Sequence, residues 1–118
     1  MTRRYSSNWT HASNMAMNRL ETLQSMVEQN PADAFGRYGL AMELVNSGQL
    51  AAAVEQFTAL LHHNPTYAAG YFHGGQTLEK LGRVDDAKGL YSKGIEVTGA
   101  SGDLHTQSEL QGALDMLG

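Results

Sequence analysis

The chain has 118 residues, 42% of them hydrophobic, with a net charge of −4 and no cysteine. This length suits one domain with one core, and the hydrophobic content excludes disorder throughout. The acidic balance argues against nucleic acid or an anionic membrane surface as a partner, since both attract clustered Lys and Arg, and the absence of cysteine excludes disulfides, thiolate metal sites and cysteine nucleophiles.

The N-terminal region is predicted to comprise an arm and a first helix. Residues 1–13 are polar and aperiodic and contain the only tryptophan, Trp9, so we interpret them as a mobile arm. Trp9 either packs locally on the first helix or docks into a groove of its own or a neighbouring chain. Residues 14–31 are predicted to be helical, because apolar residues recur at steps of four, three and four before Pro31 ends the pattern. The residues of this stripe are Ala16, Leu20, Leu23 and Val27.

The next part of the chain repeats itself at a spacing of 34 residues. The paired positions are Leu44 and Leu78, Gly48 and Gly82, Ala53 and Ala87, Phe57 and Tyr91, and Leu61 and Ile95. A fixed period of this length indicates a repeat array, in which each unit buries its apolar face on its neighbours.

Each unit is predicted to be a pair of antiparallel helices. The first unit spans 34–65, with helices at roughly 33–47 and 50–63 and Asp33 as a candidate N-cap. Gly48 and Gly82 are placed to adopt the left-handed conformation that ends a helix at low steric cost. The second unit spans 68–99.

The end of the chain is predicted to cap the array. The run GASGD after residue 98 indicates a loop, and Asp103 is a candidate N-cap for a last helix over 103–118. The apolar stripe of this helix is out of register with a third repeat, which favours a capping helix that covers the last hairpin. Its members are Leu110, Ala113, Leu114 and Leu117.

These residues resemble the tetratricopeptide repeat family, whose period is 34 residues, and the chain also looks like its small stand-alone bacterial members. The matching positions are Leu40, Ala41, Leu44, Gly48, Leu50, Ala53, Phe57 and Pro65 in the first unit, and Tyr71, Gly75, Leu78, Gly82, Val84, Ala87 and Tyr91 in the second. Departures from the family pattern are Arg37, Leu60, Gly74, Gly94 and Gly99. The resemblance implies an all-α, right-handed α-solenoid of helical hairpins, with two units, an N-terminal half-unit helix and a C-terminal capping helix.

The resemblance also implies a concave groove, lined by the first helix of each hairpin, that binds a peptide or helix of a protein partner. The expected groove residues are Phe35, Tyr38, Met42, Asn46, Ala69, Phe72, Gln76 and Lys80. They form an apolar, aromatic floor with a few amides, and Asn46 and Lys80 alone do not make the carboxylate clamp of some family members. The alternative is that the groove is covered by the chain's own arm or last helix, or is filled by a second copy in a homodimer.

Other candidate sites have simpler explanations. His62 and His63 are adjacent, so on a helix they point about 100 degrees apart and are poorly placed to hold a metal, with or without His73. Asp85 and Asp86 lie at a predicted helix start, where acids stabilise free N–H groups. No nucleophile–base constellation or phosphate-binding loop is present, so we expect no enzymatic activity, cofactor or metal.

Two further expectations concern location and glycine content. No window approaches the roughly 18 apolar residues of a membrane span, and the N-terminus lacks the apolar run of a secretory signal, so we expect a cytoplasmic protein without a membrane partner. Several glycines lie inside predicted helices, where they either admit close helix contact or make the array soft. They are Gly36, Gly39, Gly70, Gly74, Gly75, Gly89 and Gly94.

Overall fold

The computed structural model describes residues 19–118, so the predicted arm and the first part of the predicted 14–31 helix lie outside the described residues. All regular structure in 19–118 is α-helical. The helices are α1 (19–29), α2 (Ala34–Asn46), α3 (Leu50–His63), α4 (Ala68–Lys80), α5 (Val84–Ser101) and α6 (Leu104–Met116). The all-α solenoid expected from the sequence is confirmed.

Glycines in the left-handed region make the tight turns between paired helices. Gly48 follows α2 with φ of 79° and Gly82 follows α4 with φ of 78°, as predicted from their spacing. Only a short connection separates each pair, so α3 folds back on α2 and α5 folds back on α4. Each pair is a helical hairpin, which we call unit 1 (α2 and α3) and unit 2 (α4 and α5).

Helix α5 is longer than its counterpart in unit 1. It has 18 residues, against 14 in α3, and ends at Gly102 with φ of 81°, so the loop predicted from residue 99 was wrong for residues 99–101. The physical reason is that Gly99 stands where unit 1 has Pro65, and a glycine keeps the backbone N–H that proline lacks. A Cβ on Gly99 would lie 2.6 Å from Gln107 Nε2, so the glycine also admits a side chain of α6.

The two predicted acidic N-caps differ in the structure. Asp103 Oδ1 accepts the Thr106 N–H at 3.1 Å, and this bonding holds the pKa of the Asp103 carboxyl below its usual range. Asp33 occupies the N-cap position of α2, but its carboxylate accepts no capping hydrogen bond. Its backbone carbonyl accepts the Arg37 N–H at 3.1 Å instead, so the side-chain cap predicted there was wrong.

Two buried clusters form the interior, one in each unit. The first contains Val27, Leu40, Ala41, Leu44, Ala53, Phe57 and Leu60, and the second contains Tyr71, Leu78, Ala87, Tyr91 and Leu110. Val27 comes from α1 and Leu110 from α6, so the outer helices complete the apolar packing at the two ends. The outward face of α6 carries the exposed residues Ser108, Gln111 and Asp115, and these polar side chains suit a face that stays in water.

Candidate functional site

The candidate site lies on the face of α4 that turns away from its buried stripe. Gly70, Tyr71, Gly74 and Gly75 point into the interior. The other face carries Ala69, Phe72, His73, Gln76 and Lys80, which follow one another at helical spacing and are half-buried or exposed. The corresponding face of α2 carries Phe35, Tyr38, Met42 and Asn46.

A row of aromatic side chains connects the two units on this face. The Tyr38 ring lies 5.4 Å from that of Tyr67 and 5.9 Å from that of His73, and His73 lies 5.3 Å from Phe72, all measured between centroids. All four side chains are half-buried. Burial raises the pKa of the Tyr38 hydroxyl and lowers the pKa of the His73 imidazole. We call these four residues the aromatic row.

A cavity of about 460 Å³ continues from the aromatic row toward the end of the chain. Phe72 and Gln76 line it from α4, and the α6 side lies opposite them. We call it the α4–α6 cavity. Its other lining residues are Glu79, Tyr91, Glu109, Ala113, Met116 and Leu117.

The predicted groove residues divide into three groups. Tyr38, Phe72 and Gln76 lie together in the aromatic row and the α4–α6 cavity. Met42 packs against the first buried cluster, and Ala69 is half-buried on α4. The remaining three are exposed near helix ends; they are Phe35, with 76% of its surface in contact with solvent, Asn46 and Lys80.

Several residues of this surface were missed from the sequence. His73 follows Phe72 on the same helical stripe, so the α4 pattern could have revealed it. Glu109 lies 36 residues after His73, and Met116 lies 36 residues after Lys80. This spacing exceeds the 34-residue period by two, because the longer α5 moves the start of α6 along the sequence. The 34-residue pattern alone therefore did not predict that α6 lies beside the groove, because that prediction requires the length of α5.

The structure also bears on the alternative that the last helix covers the groove. Met116 and Leu117 form part of the cavity wall beside Phe72, and the cavity between them is unfilled by residues 19–118. Phe35 is not covered by any described helix. The other possibility, that the arm (residues 1–13) covers the groove, lies outside the described residues.

Hydrogen bonding holds one cavity carboxylate in place. The Tyr91 hydroxyl donates to Glu79 Oε2, and burial together with this bond raises the pKa of Tyr91. Glu109 is 48% exposed, and its Oε2 lies 3.8 Å from His105 Nε2. The surface therefore combines apolar walls with two carboxylates.

Across residues 19–118, no group of three or more His, Asp or Glu side chains is arranged to hold a metal ion. His62 and His63 are both exposed at the end of α3.

None of the helices described between residues 19 and 118 is both long and apolar enough to cross a membrane.

Comparison with known proteins agrees with this architecture. The family model of the tetratricopeptide repeat matches residues 13–87. A tetratricopeptide repeat domain protein from Salinibacter ruber, solved by NMR, is 38% identical with a TM-score of 0.70, over 75% of this chain and 89% of that chain. A TPR repeat-containing protein of Pseudomonas aeruginosa is 23% identical over 77% of this chain and 87% of its own length.

A more distant structure extends the likeness over nearly the whole chain. The TPR2B domain of yeast Sti1, solved as a complex with pHsp70, has a TM-score of 0.79 over 97% of this chain and 91% of that chain. At 12% identity this likeness concerns the fold alone. The fold is typically that of a non-catalytic protein–protein interaction module. With more than half of its length matched by the family model, the chain belongs to the tetratricopeptide repeat family.

Proposed function

We propose that this protein is a non-catalytic interaction module that binds an apolar peptide or helix of a protein partner in the groove along α2, α4 and α6. The observation that carries the proposal is the α4–α6 cavity, which adjoins the aromatic row through Phe72. Its volume of about 460 Å³ falls within the range of about 300–1,000 Å³ that is usual for ligand pockets.

The binding energy would come mainly from apolar burial. A partner side chain such as Leu or Phe contributes about 1.5–3 kcal/mol when it is fully buried. The walls offered by Phe72, Ala113 and Met116 provide such burial, and Gln76 supplies an amide for a partner's backbone. Met116 is 89% exposed, so its apolar surface has no cover within residues 19–118.

The site also distinguishes this proposal from recognition of a charged C-terminal tail. Asn46 and Lys80 lie near the ends of α2 and α4, and neither lines the α4–α6 cavity. The residues that do line it present carboxylates and no lysine. An apolar segment therefore suits this cavity better than a carboxylate does.

The test is a selection of short random peptides on the purified full-length chain, followed by affinity measurement by fluorescence anisotropy. Met116→Ser should weaken the selected peptides about tenfold or more, because a buried apolar contact of about 1.5 kcal/mol is lost. Leu104→Ser is the matched control, since Leu104 is also an exposed apolar residue of α6 (68% exposed) but does not line this cavity.

Two results would contradict the proposal: failure to enrich any peptide, or equal weakening by both substitutions. The alternative, a homo-oligomer whose groove is filled by an arm or a terminal helix, is tested by light scattering of the same proteins. If the protein forms a dimer at high micromolar concentration that Met116→Ser dissociates and Leu104→Ser leaves intact, a second copy of the chain, and not a separate partner, occupies the groove.

A further inference from the structure

We propose that the α4–α6 cavity selects partner segments in which an apolar side chain is flanked by lysine or arginine. This inference rests on the proposed function and specifies the chemistry of the partner. It follows from the charges at the cavity, which are of one sign. Glu79 and Glu109 line it, and among residues 19–118 no lysine or arginine does.

The two carboxylates differ in how firmly they are held. Glu79 Oε2 accepts the hydroxyl of the buried Tyr91, which positions this carboxylate on the α4 side. Glu109 projects from α6 and is about half exposed, so its side chain is free to adjust to a partner. The cavity therefore offers one fixed and one adjustable acceptor beside the apolar walls.

Two imidazoles, those of His73 and His105, lie near the Glu109 carboxylate. His105 Nε2 lies 3.8 Å from Glu109 Oε2, and this contact is an ion pair only when the imidazole is protonated. His73 is the other imidazole on this side, and burial lowers its pKa although Glu109 opposes that shift. Among residues 19–118, no lysine or arginine forms an ion pair with Glu79 or Glu109, although Lys80 lies on the same face of α4.

An apolar partner without a cation would reduce the hydration of Glu79 and Glu109 and leave them without a counterion. Withdrawing an unpaired carboxylate from water is unfavourable, whereas a lysine or arginine beside the apolar anchor pairs with it. A glutamate at the same place in the partner would add repulsion between like charges. The net charge of −4 also favours encounter with a basic segment.

The experiment uses three sets of fluorescein-labelled synthetic peptides that share a leucine, methionine or phenylalanine anchor. The residues that flank the anchor are lysine in one set, glutamine in the second and glutamate in the third. On the full-length chain we expect the lysine set to bind about two- to fivefold more tightly than the glutamine set, and the glutamate set to bind more weakly than both. Added salt should reduce these differences.

The variant Glu109→Gln should remove most of the lysine advantage, and it should bind the glutamine set at least as tightly as the wild type, because no carboxylate at residue 109 is then withdrawn from water. Glu55→Gln is the control, because Glu55 is an exposed glutamate on α3 that does not line the cavity. Equal binding of the lysine and glutamine sets would overturn this inference and leave the proposed function intact. If no set binds, the proposed function itself fails.

Discussion

Units 1 and 2 share a spacing of 34 residues but fill their interiors with different combinations of large and small side chains. Unit 1 places Ala41 and Phe57 in its buried cluster, and the equivalent positions in unit 2 are Gly75 and Tyr91. A Cβ on Gly75 would lie 2.2 Å from Tyr91 Cε1. The Tyr91 hydroxyl bonds to Glu79 on α4, which holds this ring against the α4 backbone and leaves room only for glycine.

A second pair of equivalent positions shows the same exchange. Leu60 fills the interior of unit 1, whereas unit 2 has Gly94, on which a Cβ would lie 2.6 Å from Tyr71 Cβ. Tyr71 stands where unit 1 has Arg37, whose guanidinium turns outward to the Pro31 carbonyl at 2.9 Å. The Tyr71 hydroxyl donates to the equivalent carbonyl, that of Pro65, at 2.6 Å. The residue at the position of Leu60 and Gly94 thus changes between the units together with the residue at the position of Arg37 and Tyr71.

The largest expected effect concerns Leu60. Leu60→Ala gives unit 1 a small residue at the position where unit 2 has Gly94. Unit 1 has Arg37 where unit 2 has Tyr71, so no tyrosine ring fills the space. Because Leu60 is fully buried, we expect a loss of about 2–5 kcal/mol in the free energy of unfolding. Urea denaturation measures this change, and Leu104→Ala is the matched control, expected within about 0.5 kcal/mol of the wild type.

If Leu60→Ala lowers the free energy of unfolding by less than about 1 kcal/mol, the neighbouring side chains of unit 1 fill the space that Leu60 leaves. That result would contradict the proposed difference between the units, because unit 1 would not require a large residue at the position where unit 2 has Gly94.

The next effect concerns glycine within α4 and α5. Gly75→Ala should destabilise the protein by about 1–3 kcal/mol, because the new methyl group overlaps the Tyr91 ring. Gly89→Ala should instead raise the free energy of unfolding by about 0.5–1 kcal/mol, because nothing lies within 4 Å of the new Cβ and alanine favours the helix. Thermal and urea unfolding of the two variants should therefore shift in opposite directions. Equal shifts would indicate that helix propensity, and not contact with Tyr91, decides both positions.

A smaller effect is expected from the hydroxyl of Tyr71. Tyr71→Phe keeps the ring beside Gly94 and removes the hydrogen bond to the Pro65 carbonyl, so we expect a loss of about 0.5–1.5 kcal/mol. Tyr67→Phe is the control, because the Tyr67 hydroxyl makes no hydrogen bond to the described part of the chain. If the two variants unfold at the same urea concentration, the hydrogen bond from the Tyr71 hydroxyl contributes no measurable stability.

The repeat architecture could be predicted from the sequence because its signals are local. The 34-residue spacing and the glycines at 48 and 82 placed the hairpins and turns correctly. The length of α5 could not be predicted from a run rich in glycine and serine, because the helix there is stabilised by packing against α6.

The candidate site was harder to predict because it depends on three helices. Tyr38, Phe72 and Gln76 were expected from the family resemblance, and the structure brings them together. The wall formed by α6 depends on the shift of two residues that the longer α5 introduces, and no local pattern encodes that shift. The binding role of this surface remains a prediction.

The last comparison concerns His73, which occupies the position of Gly39 in unit 1. Burial lowers the pKa of this imidazole from 6.5, while Lys80 also lowers it and Gln76 and Glu109 raise it. Since the unfolded chain then binds a proton more readily than the folded one, His73 should reduce stability as the pH falls through about 6.5, with no such effect well above that pH. Unfolding in urea from about pH 8 to about pH 5 should show a greater loss for the wild type than for His73→Gln. The other histidines are present in both proteins, so the difference between the two curves isolates His73. Parallel curves would mean that His73 is hydrated in solution, and the aromatic row would then be interrupted between Tyr38 and Phe72.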